Sequence, residues 1–134
     1  MLLKAARADN DSKPTWVCNK IKNAANELKL NSGLPQDSVI DVALYGLTFK
    51  KNTSDLRESP AVKICQMLNH AQSYRLVVVE PNVSCLATAL APAELVTYDQ
   101  ASFSQIHVLL VDHDAFKAHK APNGVKIDTR GFWL

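Results

Sequence analysis

The period of the apolar positions changes several times along the chain, and each change marks an element. Val17, Ile21, Ala24, Ala25 and Leu28 recur at helical spacing, with Lys20, Lys22, Glu27 and Lys29 elsewhere on the helix. Asn31-Ser32-Gly33 closes this helix, and Gly33 suits a left-handed cap. Upstream, Leu2, Leu3, Ala5, Ala6 and Ala8 read as the tail of an earlier helix, which Asn10-Asp11-Ser12 interrupts. Pro14 then opens the second helix near Thr15. From Val39 the pattern becomes strand-like. Val39, Ile40, Val42, Ala43 and Leu44 form a nearly continuous apolar run, as in a strand buried on both faces of a parallel sheet. Gly46 breaks the run, and a loop leads to Ser59-Pro60, a hydroxyl cap followed by proline at the first helical position.

The remainder alternates strands and helices. A helix from Pro60 to about Ser73 carries an apolar stripe of Ala61, Ile64, Cys65, Leu68 and Ala71, and a strand from Arg75 to Glu80 follows. Pro81-Asn82 turns the chain, Val83 to Leu90 is read as a short helix, and Glu94 to Thr97 as a short strand. Asp99 is placed to cap a brief helix through Phe103, and Ile106 to Val111 is the next long apolar strand. His113 to Ala118 is a helical turn, capped by Asp112 or His113, and Val125 to Asp128 is the last strand. Such alternation with short links predicts an α/β fold. It is a three-layer α/β/α, Rossmann-like parallel sheet with right-handed crossovers, preceded by N-terminal helices. Residues 1–33 form the helical segment and residues 34–134 the sheet domain.

Length and composition narrow the function classes. The 134 residues fit one domain with a real core, and 47% hydrophobic and 21% charged residues are ordinary for a soluble protein. A net charge of +2, with scattered cations and few aromatics among them, does not make a nucleic-acid surface. No apolar run approaches the roughly 20 residues of a membrane helix, and the charged N-terminus is no signal peptide. Cys18, Cys65 and Cys85 are odd in number and widely spaced, so each reads as a small buried hydrophobe in a reducing cytoplasm rather than as a disulfide or zinc ligand. His107, His113 and His119 are spaced so that no two share a helix face, and no metal site is expected.

Candidate chemistry gathers in the loop after the first strand. Lys50 and Lys51 lie just beyond the carboxyl end of that strand, where open α/β sheets bind ligands. A loop lysine also has an ordinary reading as a solvated charge, but a compact ammonium at this place suits a pyrophosphate. Phe49 reads equally as core or as a wall of such a pocket. Arg57, between Asp55 and Glu58, has a plain role as a local ion pair, and Arg130 at the end of the last strand one as a surface donor. Asp112-His113-Asp114 resembles acid-base machinery, but a helix-capping role is the stronger reading. The G-x-G-x-x-G of a dinucleotide turn is absent, since Gly46 stands alone.

The stretch G-L-T-F-K-K-N-T-S-D-L-R-E-S-P at 46–60 resembles the opening of the C-terminal, UDP-binding domain of the UDP-glucose/GDP-mannose dehydrogenase family. V-V-V-E-P-N at 77–82, V-L-L-V-D-H-D-A-F-K at 108–117 and I-D-T-R-G at 127–131 agree, and the E-P-N and V-D-H pieces look most like the UDP-N-acetyl-D-mannosamine dehydrogenase branch. The resemblance implies a part of an NAD-dependent enzyme of polysaccharide biosynthesis that oxidises a sugar C6 hydroxyl to a carboxylate in two steps. It places Lys50, Arg130 and Phe49 on the UDP-sugar, and Arg57 on the NAD of the neighbouring subunit in a homodimer or larger homo-oligomer. It also implies that the catalytic cysteine and the NAD fingerprint belong to upstream N-terminal and central domains. This fragment then carries no catalytic residue and is inactive alone. A free-standing nucleotide-binding or subunit-association module is the alternative.

Overall fold

The computed structural model describes residues 2–48, 52, 56, 59–86 and 88–129, with side chains from Pro14 onward, that of Ala89 excepted. Its elements are α1 (Leu2–Ser32), β1 (Ile40–Tyr45), α2 (Pro60–Ala71), β2 (Tyr74–Val79), β3 (Glu94–Leu95), α3 (Tyr98–Ala101), β4 (Ile106–Leu109) and β5 (Val125–Asp128). Short 3-10 turns lie at Thr88–Leu90 and Asp114–Ala118. The five strands form one parallel sheet in the order β3-β2-β1-β4-β5, with Val42 of β1 beside Leu76 of β2 and Ile106 of β4. Strand order therefore reverses between β1 and β4. The fold is the expected Rossmann-like α/β sheet with helices.

Alternation along the strands sorts the core into two faces. Ile40, Val42, Leu44, Leu76, Val78, Ile106 and Val108 meet Val17, Ile21 and Ala25 of α1 and Ala61, Ile64, Cys65 and Leu68 of α2. Ala43, Tyr45, Val79 and Leu109 face the other way, toward Tyr98, Ala101 and Phe116. Two long helices thus cover one face, while a single turn of helix and a 3-10 turn cover the other.

Several local expectations change. Residues 2–32 form one helix that runs through Pro14, not two helices parted at Asn10-Asp11-Ser12. Those three residues are weak helix formers rather than breakers, and proline's φ is itself helical. The predicted helix from Val83 to Leu90 reduces to the 3-10 turn Thr88–Leu90. Helix α3 is capped by Thr97, not Asp99: the Thr97 hydroxyl accepts from the Gln100 N–H, and the Gln100 side chain accepts from the Thr97 N–H. Cys85 is exposed and Cys18 half-buried, so only Cys65 is the buried hydrophobe expected, its thiol pushed up to about 11 by burial.

The predicted caps of α1 and α2 do form. Gly33 has φ 67°, Leu34 N–H donates to Lys29 O at 2.9 Å and Gly33 N–H to Leu30 O at 3.4 Å, the two bonds of a Schellman ending. The Ser59 hydroxyl accepts from Ala61 N–H at 3.2 Å and donates to Leu47 O at 2.7 Å, so one side chain starts α2 and ties it to the end of β1.

Candidate functional site

The strand order reverses between β1 and β4, and in open α/β sheets the carboxyl edge at such a reversal is the usual place for a ligand. Gly46 begins the loop that leaves β1. Its N–H donates to Val79 O at 2.9 Å, and its φ is 93°. A Cβ there would stand 2.6 Å from Val111 Cβ and 2.8 Å from the Val111 backbone nitrogen and oxygen. The glycine therefore serves close packing of the two outgoing loops and a turn that a side chain would strain.

Beyond Gly46 the loop is anchored by a buried polar group. Glu80, at the end of β2, accepts through Oε1 from Leu47 N–H at 2.7 Å and Thr48 N–H at 3.3 Å, and through Oε2 from Asn82 N–H at 3.0 Å. His113 Nε2 lies 2.9 Å from Oε1 and 3.2 Å from Thr48 Oγ1. Its other ring nitrogen, Nδ1, receives the Asn52 N–H at 2.8 Å and faces Asn82 Nδ2 at 3.3 Å. Two donors on Nδ1 make it an acceptor, which assigns the ring proton to Nε2 and makes Glu80 its acceptor. Burial works to raise the Glu80 pKa. The hydrogen bonds from His113 and from the Leu47 and Asn82 N–H groups outweigh it, and the carboxyl lies below its ordinary range.

Asn52 is held from a second side. Its amide nitrogen donates to Asp114 Oδ2 at 2.8 Å, and its amide oxygen accepts from Asp114 N–H at 3.0 Å. Its φ of 61° is left-handed, a conformation that asparagine tolerates better than most residues. At the same edge of the sheet, Thr129 follows β5 and donates from N and Oγ1 to Leu109 O, at 3.2 and 2.7 Å. Beside the network lies a cavity of about 400 Å³, whose walls include Glu80, Leu95, Tyr98, Phe116 and His119.

The four residues singled out for ligand contacts, Phe49, Lys50, Arg57 and Arg130, lie outside the described residues. The structure does place their neighbours: Thr48 and Asn52 on the network, Leu56 packed against the core and Thr129 on β4. His113 corrects the capping expectation. It occupies the position before the 3-10 turn Asp114–Ala118 but makes no side-chain cap bond, because its ring turns to Glu80 and Asn52. Sequence reading missed Glu80, Asn52 and Asn82 as a polar group. The available signal was a carboxylate ending a buried apolar strand. Among the described residues, no three His, Cys, Asp or Glu side chains gather so as to hold a metal ion. No helix among them is long and apolar enough to cross a membrane.

Residues 43–133 match the model of the UDP-glucose/GDP-mannose dehydrogenase family, UDP binding domain. The chain belongs to this family. It is 41% identical over 136 aligned positions to an NDP-N-acetyl-D-galactosaminuronic acid dehydrogenase of Ralstonia nicotianae, with 98% of this chain and 30% of the relative covered. It is 38% identical over 137 positions to a UDP-N-acetyl-D-mannosamine dehydrogenase of Salmonella typhimurium, covering 98% and 32%. Among solved structures, a UDP-N-acetyl-mannosamine dehydrogenase from Staphylococcus aureus superposes with a TM-score of 0.67 at 26% identity, over 91% of this chain and 28% of that one. The chain thus spans about a third of the length of the curated relatives it matches.

Proposed function

We propose that this chain is the nucleotide-sugar-binding part of an NAD-dependent UDP-N-acetyl-D-mannosamine 6-dehydrogenase, which oxidises the sugar C6 hydroxyl to a carboxylate. The observation that carries this reading lies inside the match to the family's UDP binding domain. There, the loop bearing Lys50 is tied down on both sides of that lysine, at Thr48 and Asn52, on the carboxyl edge where the strand order reverses. Relatives are named for N-acetyl-D-mannosamine and for N-acetyl-D-galactosaminuronic acid, both N-acetylated amino sugars, which supports that sugar class.

In this reading Lys50 meets the pyrophosphate, while Phe49 and Arg130 complete the UDP-sugar contacts. NAD is held by another part of the enzyme. The described residues do not fit a dinucleotide site of their own, since Gly46 has its open side filled by Val111 rather than free for a pyrophosphate. Arg57 reaches the cofactor of the neighbouring subunit, so Arg57→Ala raises the KM for NAD more than that for the UDP-sugar. A shift in the sugar KM alone removes that role.

Calorimetric titration with UDP tests the reading. A charge-assisted bond to phosphate is worth about 1.5–3 kcal/mol, so Lys50→Ala weakens UDP binding roughly 10- to 150-fold in the full-length enzyme. Lys51→Ala has a much smaller effect. Equal small losses for the two lysines indicate a diffuse charge effect and overturn the reading.

A further inference from the structure

We propose that His113 is a positioning residue for nucleotide binding. It ties the loop after β1, at Asn52, to the segment that follows β4. The inference rests on the nucleotide-binding reading above.

The two ring nitrogens have separate tasks. Nε2 donates to Glu80, which in turn accepts the Leu47 and Thr48 N–H groups, so this side of the ring secures the start of the loop. Nδ1 accepts the Asn52 N–H, which secures the loop past the three residues Phe49, Lys50 and Lys51. The ring is fully enclosed and packs edge-on against Phe116 at 5.5 Å, so its position is set by the core rather than by the loop. The loop is thereby referred to a rigid element 61 residues away in sequence. A loop held in advance at Thr48 and Asn52 binds a ligand without the entropic cost of ordering those flanks.

Two near-isosteric variants separate the tasks, because a glutamine amide reaches the place of Nε2 and an asparagine amide that of Nδ1. His113→Gln keeps a donor toward Glu80 but loses the acceptor for Asn52. His113→Asn keeps an acceptor for Asn52 but loses the bond to Glu80. In the full-length enzyme, UDP affinity is measured by calorimetry and thermal stability by melting. We expect His113→Gln to lose about tenfold in UDP affinity with the smaller fall in Tm. His113→Asn should hold affinity within about threefold with the larger fall in Tm. A purely structural histidine makes the two readouts move together, and that result overturns the proposal. Hydrogen exchange at the Asn52 amide of the unmodified enzyme is an independent readout. Protection already present without UDP supports the role, and an amide that exchanges freely until UDP is added, or in both states, overturns it. Failure of the unmodified enzyme to bind UDP defeats the nucleotide reading itself. Normal UDP binding by His113→Gln defeats only the present inference.

Discussion

His107 and His113 lie on one strand and the loop that leaves it, both fully enclosed, yet their rings are used differently. His113 meets backbone and carboxylate groups from the loop after β1 and from the end of β2. His107 meets another ring. The Tyr45 hydroxyl, kept protonated by burial, shares a 2.8 Å hydrogen bond with its Nδ1, and Nε2 has no hydrogen-bond partner among the described residues. Burial holds the His107 pKa below its ordinary value. The backbone of Asn123 and Ser104 acts in the opposite direction, but neither closes a hydrogen bond on Nε2. The contrast teaches how to read an enclosed histidine. One whose ring bonds backbone and carboxylate groups of two loops fixes those loops, whereas one whose ring meets Tyr45, itself in contact with Tyr98 and Phe116, fills a core.

The largest test of this contrast is Glu80→Ala. It leaves the buried His113 Nε2–H and the Leu47 N–H without their acceptor, and each stranded buried donor costs about 1–3 kcal/mol. A loss of about 3–5 kcal/mol in denaturant unfolding is expected. A loss under about 1 kcal/mol would mean that water replaces the carboxylate and that the network holds nothing.

The smallest effect, and the sharpest discrimination, is expected from His107→Phe. The ring fits an aromatic cluster and removes an orphaned polar atom, so stability at pH 8 changes by about 1 kcal/mol or less. The pH profile changes more. A histidine with a folded pKa below 6.5 contributes fully above that value, and the contribution is lost as pH falls through the folded value. Glu80, with its folded pKa below 4.5, contributes fully above 4.5 and is lost lower still. Acid titration of stability should therefore fall in two stages, and His107→Phe should erase only the upper one. An unchanged profile in that variant assigns the upper stage to another group.

The sheet and its order of elements were legible because buried parallel strands leave nearly continuous apolar runs, as at Ile40–Leu44 and Leu76–Val79. The Ser59-Pro60 start and the Gly33 stop were legible because caps depend on one or two adjacent residues. Helix α1 was misread at Pro14 because local breaking signals compete with packing by Val17, Ile21 and Ala25, which lies later in the chain. The loop that follows β1 was legible from the strand before it and the Ser59-Pro60 helix start after it. The polar network that holds its flanks was not, since Thr48, Asn52, Glu80, Asn82 and His113 come from three separate segments. No spacing rule links them; only the register of β1 with β2 and β4 does.

That register has a consequence for the order in which the molecule forms. β1, α2 and β2 are near neighbours in sequence and can pair early, but β1 meets β4 across 64 residues, and the loop meets His113 across 61 to 65. Contacts of such separation close late, after the shorter loops have formed. During synthesis Thr48 and Asn52 therefore emerge long before the ring that holds them. A chain halted anywhere before His113 presents Thr48 and Asn52 to proteases and chaperones in their unfastened form, and the polar network at the sheet's carboxyl edge is among the last parts of the fold to close.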